Sequence, residues 1–302
     1  MAFLRRPAAR PVAPPGTFER IDDVRKSIHE LYAKLSGPAV KAFGTLTVPP
    51  VPGRDPLLEA QALAGTMTRH LGIGDVRVIV AFTRLGTREN GMHVGEVELG
   101  PGPEYFVTLS AHYQDDPRDV PAVLAHEVMH VFLHRKGIRY PGLARNEILT
   151  DTATLYLGLG WPMLNAYRVD VTQGLYTRRR TTSRVGYLSP PEMGYVLAKR
   201  ALAFGEDTRP RVAGAARAAY ELGRQRASDD YDRAPMAGCG RAARAKYDQD
   251  KRSGRDSVDY RFTGPGKVTF ACPACGHPTR LPVDRSATAR CVTCHSTFRC
   301  VS

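Results

Sequence analysis

His126-Glu127-Val128-Met129-His130 is the stretch of this 302-residue chain whose residue types and spacing are best suited to chemistry. Two histidines four residues apart share one face of a helix, so both imidazoles can reach one ion. Zinc accepts imidazole nitrogen and tolerates an open fourth position. Glu127 stands about 100° round the helix from His126, as about 3.6 residues per turn require. Its carboxylate then lies beside the ion rather than on it. There it can take a proton from a metal-activated water, whose pKa falls toward about 7, and pass it to a leaving amine. Glu127 is therefore the candidate general base, and peptide-bond hydrolysis of a protein or peptide is the candidate reaction.

A site of this kind needs a third protein ligand. The next helical stretch supplies Asn146-Glu147-Ile148-Leu149-Thr150-Asp151, in which Glu147 and Asp151 are again four apart. Gly137, Pro141 and Gly142 can turn the chain back between the two segments. An antiparallel helix pair would bring Glu147 to the metal. Asp151, one turn on, would accept the free N–H of a ligand histidine and fix its tautomer. The competing assignment makes Asp151 itself the ligand. His134 continues the four-residue series, but three such positions span about 12 Å at about 1.5 Å per residue, too far for one ion. It is read as a packing or surface residue. Candidate donors to a developing oxyanion are Tyr187 and Tyr195, with His112 and Tyr113 beside the helix. Core packing is the ordinary role of such aromatics, and the sequence does not choose among them.

HExxH followed by Asn-Glu-x-x-x-Asp resembles the gluzincin metallopeptidases, the thermolysin-like group. The resemblance covers about residues 75–160. It implies Glu147 as third zinc ligand, Asp151 as outer partner of His126, and a zincin-like core. The expected fold class is α+β: a small mixed β-sheet packed on helices, with an active-site helix and a ligand helix.

Four of the six cysteines form two pairs, Cys272-Pro273-Ala274-Cys275 and Cys291-Val292-Thr293-Cys294, with fifteen residues between them. Two Cys-x-x-Cys knuckles at this spacing signal a closed four-thiolate structural zinc site. The segment resembles a zinc ribbon, with a strand before each knuckle. His277, His295 and Cys300 are near, but the four cysteines suffice. A module this small depends on metal to fold. The cofactor expectation is therefore two zinc ions, one catalytic and one structural. Arg280, Arg285, Arg290 and Arg299 give the ribbon a basic surface, which suits a protein or nucleic-acid partner or simply a solvated face.

These sites need elements to position them. Residues 1–18 are rich in Pro, Ala and Arg and read as a disordered arm. Apolar periodicity predicts helices from Phe18 to Leu35, Pro56 to Leu71, Asp116-Pro117 to Lys136, Ala144 to Leu159, Pro190 to Phe204 and Val212 to Arg226. Val48–Gly53 reads as an extended linker. Strands are expected at Val76–Phe82, Met92–Leu99 and Tyr105–Ser110, the last pairing with the segment before it. The Arg-rich run around Arg178–Arg180 reads as a polar connection. The expected organisation is an arm over 1–18, a peptidase domain over 19–227, a charged linker with some helix over 228–262, and a separate ribbon over 263–302.

Composition narrows the class further. Hydrophobic residues make up 42% and charged residues 24%, ordinary for a globular protein. No apolar run approaches the roughly 20 residues that a membrane-spanning helix needs. Pro and Arg rather than an apolar run follow Met1, which points away from a secretory signal. With paired cysteines in a large chain, this favours a reducing, cytoplasmic compartment. The net charge of +13 comes with arginine spread along the whole chain, which reads as compositional bias. The runner-up to a peptidase is a regulatory protein that keeps the zincin-like fold and binds nucleic acid or protein through its ribbon.

Overall fold

Apolar residues at helical spacing give α1 (Ile21–Leu35) a buried stripe of Ile21, Val24, Ile28, Leu31 and Tyr32. A short α2 (Gly37–Ala42) follows. This computed structural model describes residues 18–47, 55–84, 87–88, 91–92, 95–173, 178–264 and 266–301. The expected N-terminal arm, apart from Phe18, and nearly all of the extended linker lie outside the described residues.

Asp55 starts α3 (Pro56–His70): its side chain accepts the N–H groups of Leu57 and Leu58, and Pro56 takes the first helical position, where no N–H is needed. The main sheet follows. Its strands are β1 (Arg77–Thr83), β4 (Gly95–Glu98) and β5 (Glu104–Ser110), and a small β2 (Thr87–Arg88) and β3 (Gly91–Met92) pair with each other. The strand order is β1-β5-β4, with β1 parallel and β4 antiparallel to β5. The expected pairing of Tyr105–Ser110 with the preceding strand is thus present. Val78, Val80, Tyr105, Val107 and Leu109 are buried, and the sheet packs on α3 and on α4 (Val120–Arg135).

A 3-10 turn at Pro117–Asp119 leads into α4, which is buried along nearly its whole length. Next come α5 (Leu143–Tyr156), packed on α4 and α1, and α6 (Trp161–Asn165). The Arg-rich run expected as a connection is instead one arm of an antiparallel pair, β6 (Arg168–Gln173) with β7 (Arg178–Ser183). Val169, Val171, Thr172, Thr181 and Thr182 supply β-branched residues there, and the arginines masked that signal. Helix α7 (Pro190–Phe204) opens with a capping box between Ser189 and Glu192, and α8 (Gly214–Asp229) packs along it.

The stretch expected as a charged linker holds α9 (Arg241–Ser253) and β8 (Tyr260–Phe262). Three aromatics account for the difference. Tyr247 stacks edge-on against Tyr260 at 5.0 Å, Phe262 packs on both, and the Tyr260 hydroxyl donates to Asp250 at 2.8 Å. So few apolar residues among so many charges leave no visible periodicity. The C-terminal module begins at β8, which joins β9 (Lys267–Ala271) and β10 (Pro278–Pro282) in one antiparallel sheet. β11 (Ala287–Arg290) pairs with β12 (Thr297–Cys300). Each cysteine pair follows a strand, as expected. Its buried Val268, Phe270, Leu281 and Phe298 lie in the same hydrophobic cluster as the helices.

Among the described residues the chain is a mixed α+β structure of nine α-helices and small sheets, and no helix is long and apolar enough to cross a membrane.

Candidate metal centre

Helices α4 and α5 bring His126, His130 and Glu147 together. Nε2 of His126 lies 3.1 Å from Nε2 of His130 and 3.2 Å from Glu147 Oε2, which is 3.4 Å from His130 Nε2. His126 and Glu147 are each 8% exposed, so the cluster is nearly closed from solvent. Both carboxylates of the Glu-x-x-x-Asp pair reach the site, but in different places. Asp151 is fully buried, with Oδ1 2.8 Å from Nδ1 of His126, on the far side of that ring from Glu147. His126, His130 and Glu147 thus form a group that could hold a metal ion, and Asp151 lies behind the His126 ring rather than among them.

Hydrogen bonds fix which nitrogens carry protons. Asp151 can only accept, so the His126 proton sits on Nδ1 and leaves Nε2 bare. A residue that sequence reasoning missed does the same for His130. Thr150 Oγ1 donates to the Asn146 carbonyl at 2.9 Å and therefore accepts from His130 Nδ1 at 3.3 Å. Its signal was available: Glu147, Thr150 and Asp151 share one helix face at spacings of three and four. In their neutral tautomers the two rings thus turn bare Nε2 atoms toward the same point as a Glu147 oxygen. A cation satisfies all three at once. Left to protons alone, burial opposes charge on His126, but the hydrogen bonds to Asp151 and Glu147 outweigh it and hold its pKa well above the ordinary value. Burial likewise opposes charge on Glu147, yet its contacts with the two histidines bring its pKa down to about 2. The donor set is one that a divalent metal accepts.

Backbone of a neighbouring loop holds Asp151. Oδ2 accepts the N–H groups of Tyr187 at 2.6 Å and Leu188 at 2.9 Å. The loop can come this close because Gly186 has φ +90, and a Cβ there would lie 2.7 Å from both Asp151 oxygens. Tyr187 therefore contributes its main chain to the layer behind the ligands.

Glu127 is 6% exposed and is not one of the three converging groups. Burial raises its pKa, while the charges of His126 and His130 pull against that rise. Gly95 on β4 lies directly over it: a Cβ there would sit 2.9 Å from Glu127 Oε1 and 2.5 Å from Val123 Cγ1. This cover also went unseen in the sequence, where Gly95 is one small residue in a weak strand.

Other candidates lie elsewhere. The Tyr195 hydroxyl donates to Asp230 at 2.6 Å and accepts from Arg25 at 3.2 Å, so it is not available as an oxyanion donor. Its helix signal was right and its direction was not legible. Tyr113 is buried, and His112 bonds Ser110 at 2.9 Å and packs on the Tyr113 ring. His134 bonds the Gly100 carbonyl at 3.0 Å and meets the Tyr105 ring edge-on.

The second cluster is Cys272, Cys275, Cys291 and Cys294, whose sulfurs all lie within 4.8 Å of one another. The two knuckles repeat one backbone pattern. Cys272 and Cys291 donate to the carbonyls of His277 and Ser296, and accept from Gly276 and His295. The last two occupy equivalent left-handed positions, φ 76 and 60. His295 is thus a turn residue, and His277 faces His29, so neither joins the sulfurs. Four thiols in this closed arrangement fit one metal ion.

Comparison of the chain with models of known protein families, with curated proteins and with solved structures finds no match.

Proposed function

We propose that this chain is a zinc-dependent peptidase of gluzincin type, acting on a protein or peptide. The observation that carries the reading is the place of Glu127. It is buried beside His126 and His130, outside the ligand set, and its pKa is raised. A carboxylate so placed can accept a proton from a water and return it to a leaving group. A scaffold that only held a metal, with its module binding nucleic acid or protein, has no need of that group.

The residues divide the work. His126 and His130 offer Nε2, kept bare by Asp151 and Thr150, and Glu147 completes the set. A divalent cation held by these three residues would supply Lewis acidity, polarising a carbonyl and acidifying water. Glu127 accepts the proton from the attacking water and delivers it to the departing amine. Four thiolates at the second cluster suit a structural zinc, giving two ions per chain.

Glu127→Gln tests this directly. Metal analysis should still return two ions per chain, while cleavage of a panel of unfolded proteins and peptides stops. Undiminished cleavage by the variant would overturn the proposal.

A further inference from the structure

The four-cysteine module is fastened to the helices around the ligand helix at three points. Lys199 of α7, 3% exposed, donates to the Pro273 carbonyl inside the first knuckle and pairs with Asp230 at 3.2 Å. His29 of α1 lies 3.3 Å from Nδ1 of His277, with the rings stacked at 5.6 Å. At the second knuckle, the backbone of Gly37 in α2 comes so near that a Cβ there would sit 3.0 Å from the Thr293 carbonyl. The thiols face inward, with Cys272, Cys275 and Cys291 at most 2% exposed.

Helix α1, which meets the module at His29, also packs on the ligand helix. The Tyr32 and Tyr156 hydroxyls are 2.9 Å apart. Tyr156 is the last residue of α5, the helix that presents Glu147, Thr150 and Asp151. Its carbonyl is pinned by the buried Arg200 of α7 at 2.5 Å. Helix α5 packs on α4, α1 and α7, and the module backs two of those three helices.

We infer that the four-cysteine site is a positioning site for the His126–His130–Glu147 cluster: its metal holds the module against α1 and α7, and these hold α5 in the register that brings Glu147 and Asp151 to the two histidines. This rests on the reading of that cluster as a metal site. The physical reason is the module's size. Its core is a handful of side chains, too small to stay folded without metal. Sulfurs 3.6 Å apart, as in Cys272–Cys294 and Cys275–Cys291, repel once ionised unless a cation lies between them. Losing the metal would strip the outer faces of α1 and α7 and loosen α5. By linkage, the two metal affinities must then be coupled.

Cobalt(II) separates the two sites, because thiolate-bound cobalt gives intense sulfur-to-metal charge-transfer bands and an imidazole–carboxylate site does not. The full-length chain is titrated with cobalt alongside Lys199→Met, which keeps every thiol and every ligand but removes the bond to Pro273. The thiolate site of the variant should fill as in the wild type. Its second site should bind at least about fivefold more weakly, within the usual range of coupling between sites. Cys272→Ser with Cys275→Ser should shift the second site in the same direction and further. Equal second-site affinity in wild type and Lys199→Met overturns the inference and leaves the peptidase reading standing. A wild-type chain that takes up cobalt on thiolates alone overturns both.

Discussion

Asp151 Oδ1 lies 2.8 Å from Nδ1 of His126, while Oδ2 accepts two backbone N–H groups, from Tyr187 and Leu188. The carboxylate is therefore fully committed, and it sets the tautomer of the ring that faces Glu147. Asp151→Asn tests that role. The amide oxygen would stay with the two N–H donors, and its NH2 would point at Nδ1. The ring proton would then move to Nε2, the atom needed for the metal. Metal affinity, measured by competition with a chromophoric chelator, should fall by about 10–100-fold. An unchanged affinity would show that the tautomer is set elsewhere.

Thr150 performs the lesser version of this task for His130, at 3.3 Å and through a neutral hydroxyl. Thr150→Val keeps the β-branched shape and removes the acceptor. The His130 tautomer then loses its guide, so metal affinity should fall by about tenfold, the low end for such outer partners. Thr150→Ser keeps the hydroxyl and should bind as the wild type does. If both variants bind alike, packing rather than the hydroxyl is what matters at this position.

Gly95 leaves no room for a side chain above Glu127. Adding a Cβ places it 2.5 Å from Val123 Cγ1 and 2.9 Å from Glu127 Oε1, well inside contact distance. Gly95→Val should therefore displace the Glu127 carboxylate while leaving His126, His130 and Glu147 in place. Metal content stays at two ions and cleavage drops by about a hundredfold, the scale of a general-base contribution. Full activity would mean that Glu127 tolerates the displacement and that the reading of its role is too strict.

Legibility in the sequence followed periodicity. The helix of His126 and the helix of Glu147 announced themselves through four-residue spacings, and the cysteine knuckles through their local pattern. What stayed hidden depends on contacts between distant segments. The loop at Gly186–Leu188 meets Asp151 across more than thirty residues, and no local pattern encodes that meeting. Tyr195 had the right chemistry for an oxyanion donor, but its position on α7 turns it toward Asp230 and Arg25. The four-cysteine segment was legible as a metal-site pattern, and its contacts with the helices were not. Its attachment runs through single groups, the buried Lys199 and the half-buried His29, that look like ordinary surface residues in a sequence.

Asp230 is the anchor of that attachment, and its titration should be visible in stability. Its carboxylate meets Arg25 at 2.6 Å, Lys199 at 3.2 Å and the Tyr195 hydroxyl at 2.6 Å, with little exposure. Burial opposes its charge, but Lys199 and Arg25 outweigh that opposition and lower its pKa. The folded chain therefore holds this proton less tightly than the unfolded chain, whose aspartates titrate near about 3.9. The stabilisation is complete above that value and is lost as pH falls through the lower, folded one. Asp230→Asn leaves three cations, Arg25, Lys199 and Arg233, facing a neutral amide, which should cost about 3–5 kcal/mol near neutral pH. Lys199 adds an effect of opposite origin. Burial lowers its pKa, so its charge costs stability below that pKa and the cost is relieved as pH rises toward about 10.4, its unfolded value. Urea unfolding of wild type and Asp230→Asn at pH 7 and near pH 3 decides the matter. The gap between the two chains should narrow at the acid end, because below about 3.9 the unfolded chain's Asp230 takes up a proton that the folded carboxylate resists. A gap that stays constant over this range would show that Asp230 acts by shape and not by charge.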